Sequence, residues 1–197
     1  MKTLKSLFAS AFLAIALCSA SFAADGKLPA IKKIIVKGNA IVQIIQKDQE
    51  NVKIYEAYDP EKSTVVMKGN SLIINSNEVK PITVLVYAKD LFRIDASDNA
   101  IVQVKGQLNV PYLQVMLHDQ AKANINAVTK GLYTVTDDKS RLKLKGISNE
   151  HISLRSSFSK LKTDDFACMR TSTSKIENAV AETKKNDTAD YKLAMKQ

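Results

Sequence analysis

The chain has no tryptophan, six glycines, four prolines and two cysteines in 197 residues, and each shortage removes a class of explanation. One of the cysteines, Cys18, lies in the N-terminal apolar stretch, which leaves Cys168 without an internal partner and rules out a disulfide scaffold. Cys168, within Phe166-Ala167-Cys168-Met169, is expected to be a small buried residue rather than a reactive thiol. With glycine so scarce there is no Gly-rich phosphate loop, and no nucleophile elbow occurs. Neither His118 nor His151 has a second histidine at metal-ligand spacing, so both are expected at the surface or in turns, with no metal and no cofactor. Aromatic residues make up 6% of the chain and are scattered too thinly for base stacking, and nucleic acid is not an expected partner.

What is present begins with a targeting segment. Lys2 and Lys5 precede an apolar run from Leu7 to Leu17, and Ser21-Phe22-Ala23 places small residues at a cleavage site. Residues 1–23 therefore read as a secretory signal peptide, too short to span a bilayer as a helix. Leu17 stands before Cys18 where a lipoprotein signal has a small residue, which disfavours lipid anchoring. The formal net charge is +9, of which the two signal lysines contribute two. That excess points to anionic partners: an acidic or phosphorylated glycan, a lipid head group, or an envelope protein.

The body of the chain carries a decaying repeat. Asn39-Ala40-Ile41-Val42-Gln43-Ile44 returns as Asn99-Ala100-Ile101-Val102-Gln103-Val104. Aligning Ile94 with Val115, Thr134 and Ser153, at steps of 21, 19 and 19 residues, produces columns of like residues. Inward positions read Val102, Ala123, Leu142, Leu161 and then Val104, Ile125, Leu144, Thr163, while Gln103, Asn124, Lys143 and Lys162 alternate outward. Short β-branched runs at Ile34–Val36, Ala40–Ile45, Val52–Tyr55, Ser63–Met67, Leu72–Ile74 and Ile82–Tyr87 precede the regular part, with a hairpin turn expected at Gly69-Asn70. A period near 20 residues built of strands and turns predicts an all-β fold: a single-domain β-solenoid, a parallel β-helix-like stack over residues 24–183, with a more antiparallel N-terminal section. Residues 184–197 read as a polar, frayed tail.

Two columns carry chemistry. Asp98, Asp119 and Asp138 align with Gly38, and aspartate in that place is expected to serve turn geometry, with a cation ladder as the weaker alternative. Lys122, Arg141 and Lys160 form an outward column, with Lys143 and Lys162 two residues further on. In register, these five cations share one face, and they are the candidate ligand-binding residues. No catalytic residues are assigned: the pairs Asp137-Asp138 and Asp164-Asp165 are adjacent in sequence and do not form an acid/base pair of the glycosidase kind.

The signal segment, the opening Lys37-Gly38-Asn39-Ala40-Ile41-Val42-Gln43, the strand Leu72-Ile73-Ile74 and the degenerate repeats together resemble the head GIN domain family of auto-transporter adhesins from Gram-negative bacteria, over about Ile34 to Thr171. The chain departs from that family in having most of its Ser-Gly turns replaced by Ser, Asp or Lys, and in lacking its glycine-rich ending. The resemblance implies a β-helix with an antiparallel N-terminal section and no established enzymatic activity. The expected function is thus an exported, adhesin-like binding module in the periplasm or at the cell surface, using a basic face. Alternatives are a structural or self-assembling envelope protein, which would be a homo-oligomer, and a polysaccharide-active β-helix enzyme.

Overall fold

The computed structural model describes residues 28–176. The expected signal peptide and the polar tail lie outside the described residues, as does the end of the expected domain. Thirteen strands occur in the described part: β1 Lys33–Gly38, β2 Ala40–Gln46, β3 Asn51–Ile54, β4 Ser63–Lys68, β5 Ser71–Ser76, β6 Ile82–Ala88 and β7 Arg93–Ala96. They continue as β8 Ile101–Val104, β9 Leu108–Asn109, β10 Tyr112–Leu117, β11 Lys122–Thr136, β12 Arg141–Arg155 and β13 Lys160–Lys175. No helix among the described residues is long and apolar enough to cross a membrane, which says nothing of strands.

The period does not build a β-solenoid. All thirteen strands belong to one hydrogen-bonded mixed sheet, in the order β3-β6-β2-β8-β11-β10-β7-β1-β5-β4, with β12 and β13 continuing from β11. The sheet is mostly parallel and curls as a half-barrel about its apolar side. Two antiparallel pairs close its ends, β3 on β6 and β4 on β5. The physical reason for the correction lies in the connectivity. Strand β1 sits between β5 and β7, and β2 between β6 and β8, so β1 and β2 do not pair with each other and each is flanked by strands farther along the chain. The long strand β11 pairs in succession with the short strands β8, β9 and β10 on one side and with β12 along its length on the other.

Register nevertheless follows the columns. Val102 pairs with Ala123, Ala123 with Leu142 and Leu142 with Leu161. Val102, Ala123, Leu142 and Leu144 are buried, while Gln103 and Lys143 are half-exposed and Asn124 is exposed. Side chains alternate across a strand, so one buried position assigns the whole face. The core is a single apolar cluster running from Ile31, Ile34 and Val36 through Ile74, Val84 and Leu113 to Leu144. The Gly69-Asn70 hairpin forms as expected, with Lys68 opposite Ser71, and Gly69 adopts φ 56° there.

Toward β12 the interior turns polar; several of its hydroxyls pair with one another, while Ser140 Oγ and Ser153 Oγ are buried without a partner among the described residues. Thr129 Oγ1 donates to Ser148 Oγ at 2.8 Å, and Thr136 Oγ1 lies 3.1 Å from Ser159 Oγ. Thr134 Oγ1 meets His151 Nε2 at 2.9 Å. Pairing of this kind is what keeps buried polar groups from destabilising a core. His151 is therefore not a surface residue: it is 2% exposed, with its ring edge-on to Phe166 at 5.4 Å between centroids. Cys168 is also displaced from its expected place, lying half-exposed on β13 with its thiol toward the Arg170 carbonyl at 3.1 Å. Among the described residues, strand β13 pairs only with β12, and a register shift between Lys143 and Lys145 interrupts that ladder. The irregularity ends the inward column, leaving Thr163 exposed where Leu144 is buried.

Candidate functional site

Strands β8, β11, β12 and β13 present their outward positions on one face. Lys122 lies opposite Arg141, Arg141 opposite Lys160, and Lys143 opposite Lys162. Adjacent parallel strands are about 4.8 Å apart, so residues separated by 19 positions in sequence become immediate neighbours. All five cations line one depression of about 540 Å³, together with Ile101, Gln103 and Asn124. The sequence columns named these five residues, and the structure brings all five together.

Their charges are unequally compensated. Lys143 lies 3.8 Å from Asp165, whose main partner is Lys145 at 3.0 Å. The hydrogen bond and charge of Lys145, with a smaller contribution from Lys143, hold the Asp165 carboxyl below the usual aspartate value. Asp165 reaches this place because of the register shift after Lys143. Among the described residues, no acid lies within ion-pair distance of Lys122, Arg141, Lys160 or Lys162. Two unit charges 4.8 Å apart repel by about 0.9 kcal/mol even in bulk water. Cations on paired positions therefore repel one another to the extent that their long side chains do not splay apart.

The aspartate column has a different design. Asp98, Asp119 and Asp138 all adopt left-handed backbone, with φ of 59°, 57° and 51°, and Gly38 at the head of the column has φ 75°. Asparagine and aspartate tolerate this conformation better than other side chains, and glycine tolerates it best. Each carboxylate caps the residue before it in the column. The Gly38 N–H donates to Asp98 Oδ2 at 3.0 Å, the Asp98 N–H to Asp119 Oδ2 at 3.1 Å, and the Asp119 N–H to Asp138 Oδ2 at 3.2 Å. The ladder stops where the column changes to Ser157, and the Asp138 N–H turns to its neighbour Asp137 Oδ1 at 2.8 Å. These are the turn-geometry roles expected of the column. Among the described residues, no three His, Cys, Asp or Glu side chains are grouped so as to hold a metal ion.

Sequence reasoning missed a second surface. Phe92 and Tyr112 are 45% and 58% exposed, and both line two adjoining depressions of about 570 and 280 Å³. Tyr133 and Ile152 complete the smaller one. The available signal was the outward parity of Tyr112 and Tyr133 on their strands. Phe92 carried no such signal, because its parity is inward and only the chain's path before β7 exposes it.

The fold and these faces define an all-β scaffold whose distinctive surfaces lie on the outside of a curled sheet. The chain belongs to the family described as "Putative auto-transporter adhesin, head GIN domain", whose model matches residues 30–193. Among solved structures, the chain is similar to a putative adhesin from Bacteroides fragilis at 14% identity and a TM-score of 0.62, covering 76% of this chain and 73% of that one. It is also similar to a putative adhesin from Parabacteroides distasonis, at 17% identity and TM-score 0.55, with 76% and 75% of the two chains covered. A third relative is a putative lipid binding protein from the same species, at 10% identity and TM-score 0.56, with 76% of each chain covered. At these identities the likeness is one of fold. No curated protein matches the chain.

Proposed function

We propose that the protein is an exported, non-catalytic, adhesin-like module that binds closely spaced anionic groups of an envelope or extracellular glycan or lipid through its basic face. The observation that carries this reading is the set of four cations, Lys122, Arg141, Lys160 and Lys162, without acid partners among the described residues and gathered in one depression. Membership of an adhesin family supports a binding role, and the N-terminal segment supports export. The enzyme alternative draws less support, because the aligned acids Asp98, Asp119 and Asp138 each have an oxygen engaged by a backbone N–H.

The test compares sedimentation with phosphatidylglycerol vesicles, phosphatidylcholine vesicles and an acidic polysaccharide at low and moderate salt. Binding to the anionic members should weaken as salt shortens the screening length to about 8 Å at physiological ionic strength. Replacing Lys122, Arg141 and Lys160 together with glutamine should weaken that binding and flatten its salt response, because fewer charges are then screened. Equal affinity and equal salt response in the triple variant would remove the basic face from the mechanism.

One further observation favours a structural role as the second reading. Among the described residues, strand β13 has a strand partner on one edge alone, and an unpaired edge can recruit another strand. An assembling protein would run as a distribution of sizes in light scattering, whereas a binding module would run as one discrete species.

A further inference from the structure

We propose that the exposed aromatic surface around Phe92 and Tyr112 is a second binding site, distinct from the basic face, that stacks the apolar faces of adjacent uncharged pyranose rings. Tyr112 begins β10 and points outward from the sheet, and Gly131 lies directly opposite it on β11. A Cβ at Gly131 would come within 3.0 Å of Tyr112 Cδ1 and 3.2 Å of Cε1. The phenol ring therefore rests against bare strand backbone, supported from below and 58% exposed overall. Phe92, 45% exposed, adjoins it and lines both depressions, so the two rings form a ridge between two shallow subsites.

The rims of both depressions are polar. On one side stand Lys32 and Asp90, paired at 3.3 Å. On the other stand Gln114 and Glu150, with Glu150 held by Arg170. An aromatic platform meets the axial C–H groups of a sugar, while amide and carboxylate side chains around it meet the equatorial hydroxyls. Tyrosine supplies such contact area at low cost in side-chain entropy. A folded protein partner suits this surface less well. A stable interface buries about 800 Å² per partner with an apolar centre, whereas here the aromatic area is confined to a few residues and broken by charged pairs. The opposite sides of the ridge suit successive rings of an oligosaccharide.

Cellohexaose, maltohexaose and mannohexaose serve as probes, titrated at low and high salt. The absence of tryptophan makes tyrosine emission a direct readout. At least one hexaose should change that emission saturably, with an affinity that does not depend on salt. Tyr112→Ala should lower the affinity about tenfold, a loss in keeping with one aromatic contact. Gly131→Ala, at ordinary backbone geometry, should lift the ring from its support and weaken binding while the ring is still present. The Lys122, Arg141 and Lys160 triple glutamine variant should bind the hexaose unchanged, which separates this site from the basic face. Silence with all three hexaoses would overturn the proposal. So would unaltered affinity in Tyr112→Ala, or a concentration-dependent dimer that Tyr112→Ala abolishes.

Discussion

At the residue scale, Asp119 is held in place by two requirements that different substitutions separate. Its backbone is left-handed, and its carboxylate accepts the Asp98 N–H. Alanine meets neither requirement, and Asp119→Ala should destabilise the fold by about 1–2 kcal/mol, measured by urea unfolding. Asparagine keeps an accepting oxygen and tolerates the same φ, so Asp119→Asn should be close to neutral. A comparable loss in both variants would mean that the negative charge itself matters. His151 gives a pH prediction. Burial without a charged partner lowers its pKa below the ordinary value of 6.5. Between that folded value and 6.5, the unfolded chain binds more protons, so stability rises with pH across this window. Melting temperature should be level above pH 6.5 on account of this group and should fall as pH drops below it. His151→Gln, which can still hydrogen-bond to Thr134, should flatten that part of the profile. A slope unchanged in the variant would assign the pH dependence to other groups.

At the scale of the element, β12 joins the apolar core to the partly open strand β13. Leu144 is 1% exposed and pairs with Ile125, and Leu144→Ala should cost about 2–5 kcal/mol through lost transfer energy and the cavity left behind. Thermal melting checks this, and an unchanged midpoint would remove Leu144 from the core. The neighbouring column position, Thr163, is already exposed, so Thr163→Ala should change stability by no more than about 0.5 kcal/mol. Strand positions, turns and inward faces were legible because alternation with a period of two is written directly in Ala40–Ile45, Val102, Ala123 and Leu142. The register shift after Lys143 was not legible. Leu161-Lys162-Thr163-Asp164 continues the alternation of polarity, and only pairing with β12 shows where the ladder slips.

For the molecule as a whole, the basic face and the aromatic ridge present two chemistries on one curled sheet. Five cations were legible as a cluster because in-register parallel pairing converts a spacing of 19 residues into adjacency. The aromatic ridge was not: aligning Ile94 with Val115 already set β7 beside β10, but Phe92 has inward parity and only the chain's path before β7 exposes it. Salt separates the faces in one experiment. Binding through the cations should decline with ionic strength, and binding through the rings should not.

The sequence by itself determined which side of the strands is buried as far as Leu144, which residues turn the chain at the aspartate column, and which cations and aspartates align. These properties depend on local alternation and on equal spacing between paired strands, both of which a linear pattern records. It also carried enough of the head GIN pattern for the family to be recognised. Only the tertiary structure decided that the strands join a single curled mixed sheet rather than a solenoid, that β1 and β2 sit between strands distant in sequence, and that His151 is buried beside Thr134. Those outcomes depend on which backbone edges meet. Backbone hydrogen-bonding groups are the same for every residue type but proline, so the choice of partner is made by burial across the whole sheet and leaves little mark on any one segment.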